Sequence, residues 1–166
     1  SKVTPGETVA VIGCGGIGLA AINAAKIAGA GKIVAIDPVP EKRALARKLG
    51  ATHEFDAMAD DLVKQVLKLT DGGVDYAIEA VGRPSTAEMA WNLLRRGGTA
   101  TILGMIAPGQ SVNIPGPTFL TGKKLQGSLA GSMQFPIDLP RLVQMYLDGL
   151  LDLDTMVAER IKLADM

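Results

Sequence analysis

The 166-residue sequence predicts an α/β fold: a doubly wound, mostly parallel sheet of six strands in the order 3-2-1-4-5-6. Three observations carry that expectation. Strand and helix signals alternate along the whole chain. Six short apolar runs rich in β-branched residues recur between turn signals. The first of them breaks into a glycine-rich turn, Gly13-Cys14-Gly15-Gly16-Ile17-Gly18, which opens at once into an Ala-rich helical stretch.

The elements follow in order. Thr8-Val9-Ala10-Val11-Ile12 is the first strand, residues 19–28 are the first helix, and Gly29 closes it. Ile33-Val34-Ala35-Ile36 is the second strand and ends in Asp37. Pro38 and Pro40 mark a turn, and residues 41–49 form a helix stopped by Gly50. Residues 52–55 are a short third strand. Apolar residues at 62, 63, 66, 67 and 69 repeat at close to helical spacing. Asp71-Gly72-Gly73 is a turn, and residues 74–81 form the fourth strand, interrupted by Asp75 and Glu79. Ser85 with Glu88 reads as a capping box for a helix through Leu94, ended by Gly97-Gly98. Residues 99–103 are the fifth strand. A Pro- and Gly-rich loop follows from Met105 to Gly116, with Val112-Asn113-Ile114 as a candidate for brief pairing. A short helical turn ends at 120–122, residues 124–129 form the sixth strand, and a last helix follows Pro136 to about Leu147, with Gly149 as its stop. Residues 156–163 read as one extra extended segment.

Composition bounds the function. Apolar residues make up 48% and charged residues 20%, so the chain is expected to fold around a real core. Seventeen basic and seventeen acidic side chains balance, and no basic stripe argues for nucleic acid or an anionic membrane surface. No stretch reaches the roughly 18 uninterrupted apolar residues of a membrane span. Ser1-Lys2-Val3-Thr4-Pro5-Gly6 lacks the apolar h-region of a signal peptide. One cysteine cannot form an internal disulfide, which fits a reducing compartment, and a cytoplasmic location is expected.

The glycine turn carries the chemistry. Gly13 permits the tight exit from the strand, Gly15 lets backbone N–H groups approach a pyrophosphate, and Gly18 lets the helix pack close to the strand. The phosphates then sit on the positive end of the helix. Asp37, about 20 residues on at the end of the second strand, is placed to accept hydrogen bonds from a ribose hydroxyl. Strand, glycine turn, helix, strand and terminal acid together make a dinucleotide fingerprint, where a lone GxGxxG is weak. Asp37 favours a 2′-hydroxyl over a 2′-phosphate, since a second negative charge beside it would be repelled; Lys42 and Arg43 are near enough to soften that preference. The rule for open α/β sheets puts the ligand at the carboxyl ends of the strands: Gly13 to Gly18, Asp37, Val81 and Gly82, and Gly104 and Met105.

No catalytic set emerges beside this. Tyr76 is followed four positions on by Ala80 and Tyr146 by Leu150, so there is no Tyr-x-x-x-Lys. One cysteine and one histidine do not make a zinc site. Cys14 reads as a small residue in a crowded turn, His53 as structural or exposed, Glu79 as a buried anchor, and Trp91 as core.

The runs Pro5-Gly6-Glu7-Thr8-Val9-Ala10-Val11-Ile12-Gly13-Cys14-Gly15-Gly16-Ile17-Gly18, Ile36-Asp37 with Glu41-Lys42, Lys48-Leu49-Gly50-Ala51-Thr52, Asp75-Tyr76-Ala77-Ile78-Glu79-Ala80-Val81-Gly82 and Leu94-Arg95-Arg96-Gly97-Gly98 resemble the coenzyme-binding (Rossmann) domain of the medium-chain, zinc-dependent alcohol dehydrogenases. The likeness covers essentially the whole chain and looks closest to the bacterial branch with class III-like and nicotinoprotein alcohol or formaldehyde dehydrogenases. It implies NAD-linked oxidation of alcohols, with a catalytic zinc polarising the oxygen. By position, Asp37 and Lys42 would hold the adenosine ribose, and Gly16 and Ile17 would line the phosphate turn. Val81, Gly82, Arg83, Leu103, Gly104 and Met105 would flank the nicotinamide half, with Ala130 near it after the sixth strand. The family's zinc ligands come from a region before residue 1, so these residues alone are expected to bind NAD(H) without turning over alcohol. Family members usually dimerise edge to edge, which places a homodimer contact at residues 116–127, although Lys123 and Lys124 could instead guard that edge against pairing.

The expected organisation is a dinucleotide-binding domain over residues 1–150 and, from 151 to 166, the start of a return segment to a catalytic domain outside this sequence. Two other classes compete with the dehydrogenase reading. One is a stand-alone dinucleotide-binding regulatory module, and the other is an assembly domain that kept the fold and lost the ligand. The intact glycine turn and Asp37 argue against the latter.

Overall fold

In the computed structural model, residues 1–157 and 161–162 are described. Six parallel strands form one sheet in the expected order: β1 (Thr8–Ile12), β2 (Lys32–Ile36), β3 (His53–Phe55), β4 (Val74–Glu79), β5 (Leu94–Ile102) and β6 (Lys124–Gly127), arranged β3-β2-β1-β4-β5-β6. The helices α1 (Gly16–Ile27), α2 (Pro40–Leu49), α3 (Leu62–Leu69) and α4 (Pro84–Leu93) connect the first five strands, and α5 (Phe135–Leu147) follows β6.

The central strand shows why the chain folds this way. Alternate residues of a strand face opposite sides of the sheet, and β1 is apolar on both. Ala10 and Ile12 face a core built with Leu62, Val66, Ala90, Trp91 and Leu93 from α3 and α4. Val9 and Val11 face a second core with Leu19, Ile22, Ala46 and Leu49 from α1 and α2. Such two-sided burial is what a parallel sheet covered on both faces requires. Each fully buried Ile or Leu adds at most about 1.5–3 kcal/mol relative to exposure.

Two expectations need correction. The capping box of α4 is not Ser85 with Glu88. Pro84 takes the first helical position, which its fixed φ suits, so the N-cap falls on Arg83 and Thr86 becomes the reciprocal partner. The Glu88 carboxylate instead accepts the backbone N–H of Asn113 (2.8 Å), and residues 112–114 join no strand. Second, Gly97-Gly98 does not stop that helix. The chain turns straight from α4 into β5 at Leu94, and the register against β4 jumps between Val74↔Leu94 and Tyr76↔Thr99. The extra residues bulge outward, where Arg95 pairs with Asp75. The Asp75 carboxylate also accepts the Thr8 N–H (2.8 Å) and hydroxyl (2.7 Å). This ties β1, β4 and β5 together at the amino end of the sheet, opposite the ligand end.

Residues 151–157 pack back on the domain: the Asp152 N–H donates to Asn23 Oδ1 (3.2 Å), and Met156 lies against the α1–α2 core. The expected extended tail, residues 156–163, begins instead at the end of a 3-10 turn over Asp154–Met156; residues 158–160 and 163 lie outside the described residues. Among the described residues, no helix is long and apolar enough to cross a membrane.

Candidate functional site

A cleft of about 430 Å³ opens at the carboxyl ends of β1, β2 and β4. Its lining includes Gly13 and Gly15 from the glycine turn, Asp37 to Val39 and Lys42 after β2, Ala57 and Met58 after β3, and Ala80, Val81 and Arg83 after β4. Ser85, Thr86 and Met89 of α4 complete one wall.

The turn is shaped by close approach. A Cβ at Gly18 would lie 1.7 Å from the Gly13 carbonyl oxygen, so only glycine lets α1 begin there. Gly13 has φ of 90°, and a Cβ there would strike Val81 Cγ2 at 2.6 Å. Gly15 and Gly16 differ, since a Cβ on either would meet nothing within 4 Å. Their missing side chains leave space beside the start of α1. That start has Gly15 as N-cap, no side-chain cap and no acidic residue in its first turn. The first N–H groups of a helix have no intrahelical partner and carry the positive end of its dipole, so an anion fits here.

Asp37 is buried, and both carboxylate oxygens are held. Oδ2 accepts the backbone N–H of Cys14 (2.8 Å) and Oδ1 that of Val39 (2.9 Å). The acid thus pins the glycine turn to the β2 exit. Each carboxylate oxygen has two lone pairs, so acceptor capacity remains for a hydroxyl. Arg43 is turned beneath the backbone: its Nη1 donates to the Asp37 carbonyl (2.7 Å) and its Nε lies 4.0 Å from Glu54. Lys42 is left as the cation on this wall of the cleft. Burial pushes the Cys14 thiol up to about 12, with the Asp37 charge adding to the effect, so Cys14 stays a protonated packing residue.

Six of the residues expected from sequence line this cleft: Gly13, Gly15, Asp37, Lys42, Val81 and Arg83. Gly16 and Ile17 are exposed in the first turn of α1. Gly82 and Gly104 lie against each other at the β4 and β5 exits, a Cβ on Gly104 meeting Gly82 N at 2.1 Å. Met105 is exposed. Leu103 instead lines a second cleft with Ile78, Thr101 and Ser128. Ala130 sits in a left-handed turn (φ 47°) after β6. Ala57, Met58, Ser85, Thr86 and Met89 were not legible as lining. The carboxyl-end rule applied to β3 points to the first two, and helical spacing from Ser85 reaches the others only once the start of α4 is known. His53, read as structural or exposed, is half-buried in β3 and is not part of the cleft lining; its Nδ1 lies 2.9 Å from Thr52 Oγ1. Among the described residues, no three His, Cys, Asp or Glu side chains converge as a metal site.

Residues 16–147 match the family model described as zinc-binding dehydrogenase. The chain is 34% identical, over its full length, to the S-(hydroxymethyl)glutathione dehydrogenase of Synechocystis sp., of which it covers 46%. It superposes on benzyl alcohol dehydrogenase from Acinetobacter calcoaceticus with a TM-score of 0.89 at 34% identity, over 92% of this chain and 42% of that one. A structure assigned to the zinc-binding dehydrogenases of Sinorhizobium meliloti, bound to NADP, matches with a TM-score of 0.88 at 32% identity, over 95% of this chain and 46% of that one. The chain spans less than half the length of the curated relatives it matches. Fold, glycine turn and these likenesses together place the chain in the zinc-binding dehydrogenase family, as its dinucleotide-binding domain.

Proposed function

We propose that the chain binds NAD(H) and serves an alcohol dehydrogenase that oxidises alcohols, formaldehyde adducts among them, by hydride transfer to NAD. The observation that carries this reading is the pairing, in one cleft, of an uncapped helix start beside open glycines with a buried, pinned Asp37. Bound NAD supplies the hydride acceptor. The chain's own residues bind and orient. The α1 amides hold the pyrophosphate, with Gly16 and Ile17 at the phosphate turn, and Asp37 and Lys42 hold the adenosine ribose. The exits of β4 and β5, with Val81, Gly82, Arg83, Leu103, Gly104 and Met105, back the nicotinamide half, with Ala130 beyond them. Because the chain spans less than half the length of its curated relatives, the catalytic zinc and the pocket that selects the alcohol are assigned, in this reading, to the part of the parent protein outside residues 1–166.

The same reading sets the protein in the cytoplasm as a homodimer joined through residues 116–127. Two observations support that edge. All four β6 residues are exposed, and Lys123 is not free to guard it, because its Nζ donates to the Trp91 carbonyl (3.1 Å) and sits over the indole ring. Light scattering should give twice the 17.3 kDa chain mass; a monomer at every concentration removes the dimer.

NADH titration followed by fluorescence tests the coenzyme assignment. NADH is expected to bind at least about tenfold more tightly than NADPH, an energy difference of about 1.4 kcal/mol. Equal affinities would remove the Asp37 role. Absence of binding would leave an assembly domain, and binding with no dehydrogenase activity in the full protein would favour a regulatory module.

A further inference from the structure

Glu79, the last residue of β4, is fully buried between Ile12 of β1 and Ile102 of β5. Its Oε1 accepts three hydrogen bonds, from Val81 N (2.9 Å), Gly82 N (2.7 Å) and Thr86 Oγ1 (2.7 Å). Its backbone carbonyl accepts two more, from Leu103 N (2.8 Å) and Gly104 N (3.2 Å). Its Oε2 is buried without a hydrogen-bond partner among the described residues. Packing alone does not call for a carboxyl group here, since a buried polar atom left unpaired costs stability. What the carboxyl does is gather the exit of β4 and the first turn of α4 onto one oxygen, while the carbonyl of the same residue holds the exit of β5. The two exits touch backbone to backbone through Gly82 and Gly104.

We propose that Glu79 is a positioning residue that fixes the β4 and β5 exits as one rigid wall for the nicotinamide half of the coenzyme, while leaving the adenosine half to the glycine turn and Asp37. The inference rests on the coenzyme reading above. It predicts a split in affinity, because the Glu79 carboxylate is bonded to Val81, Gly82 and Thr86, whereas the Asp37 carboxylate is bonded to Cys14 and Val39.

The test titrates this chain and its variants with NADH and with AMP, which carries only the adenosine half. Glu79→Ala leaves the Val81 and Gly82 amides without their acceptor and should lower NADH affinity about tenfold or more, with AMP affinity held within about threefold. Glu79→Gln keeps an acceptor oxygen for those amides and should bind both ligands within about threefold of the unchanged chain. Asp75→Ala, which cuts the latch at the opposite end of the sheet, should lower the melting temperature without changing the NADH-to-AMP ratio. Equal losses for both ligands in Glu79→Ala, no loss for either, or a ratio moved as far by Asp75→Ala would each overturn the proposal. If Glu79→Ala fails to fold, Thr86→Val removes one donor to Oε1, and an unchanged NADH-to-AMP ratio in that variant overturns it equally. If the unchanged chain binds neither ligand, the coenzyme reading itself fails, and the role of Glu79 fails with it.

Discussion

Replacing Gly18 by alanine sets two physical effects against each other. Alanine is favoured over glycine inside a helix by about 1 kcal/mol, so propensity alone makes Gly18→Ala stabilising. Against that, the new Cβ would lie 1.7 Å from the Gly13 carbonyl oxygen and 2.8 Å from its carbon. Both are backbone atoms of a turn already held by the bond from Gly13 N to Ile36 O (2.8 Å). The start of α1 must therefore withdraw by more than an ångström. Overpacking of this kind costs about 1–3 kcal/mol or more, and the backbone cannot yield as a flexible side chain would, so the clash wins. A net loss of about 2 kcal/mol corresponds to a melting temperature lower by about 4–8 °C for a domain of this size. The amides proposed to face the phosphates move with the helix, so NADH affinity should fall together with stability. Gly16→Ala is the matched control. Its Cβ meets no atom within 4 Å, so stability should hold or rise by about 0.5 kcal/mol, while the methyl group narrows the space beside the phosphates and weakens NADH. Calorimetry and fluorescence titration on both variants decide the matter. A Gly18→Ala chain at least as stable as the unchanged one, or equal destabilisation by both substitutions, would refute the steric argument.

Three further outcomes follow from the geometry. Asp37→Ala should cost about 2 kcal/mol in urea unfolding, since it strips a charged acceptor from two backbone N–H groups, and should bring NADPH affinity toward that of NADH; a change in neither measurement sinks the dual role. Cys14, its thiol pushed up to about 12 chiefly by burial, should resist a disulfide reagent at pH 8 in the folded chain and react fully in urea. Burial raises the Asp75 carboxyl, but the hydrogen bonds from Thr8 and the Arg95 guanidinium outweigh it and hold the group below the usual carboxylate range. A depressed value means that the folded state binds protons less readily than the unfolded chain. Its stabilisation is therefore present above an unfolded carboxylate value of about 3.9 and lost as pH falls through the lower folded value. Asp75→Asn should flatten the acid limb of the stability curve, measured by denaturant unfolding between pH 5 and pH 2, and an unaltered limb counts against the latch.

Much of this was legible in the sequence because it is local. The first strand was placed to the residue, and Gly29, Gly50 and Gly149 stop their helices with positive φ, as their positions imply. Two-sided burial of β1 follows from its uninterrupted apolar run. What the sequence concealed depends on partners far along the chain. The start of β5 at Leu94 is set by pairing with Val74, and the arginines and glycines that look like a helix stop are a bulge accommodated by the Asp75 pairing. Pro84 alone could have shifted the start of α4, since proline at the first helical turn outweighs a Ser-x-x-Glu spacing. At the site, Asp37 was readable as an acid at the end of β2, whereas its grip on the Cys14 amide was not. Glu79 was readable as a buried anchor, but the convergence of three donors on one of its oxygens needs the α4 turn folded over it.

If Asp37 holds the ribose as proposed, its bond to the Cys14 amide constrains how this domain could change its coenzyme over generations. An acid that only touched the ligand could be exchanged in one mutational step for a residue tolerant of an extra phosphate. Here the same exchange also removes one of the bonds that hold the glycine turn, so under the proposed coenzyme role the intermediate genotype should hold every dinucleotide less firmly before it gains a new one. A lineage moving toward the phosphorylated coenzyme would first have to acquire another acceptor for that amide, and only afterwards release Arg43 from the Asp37 carbonyl to meet the phosphate. The order of substitutions, and not merely their identity, is written into this one contact.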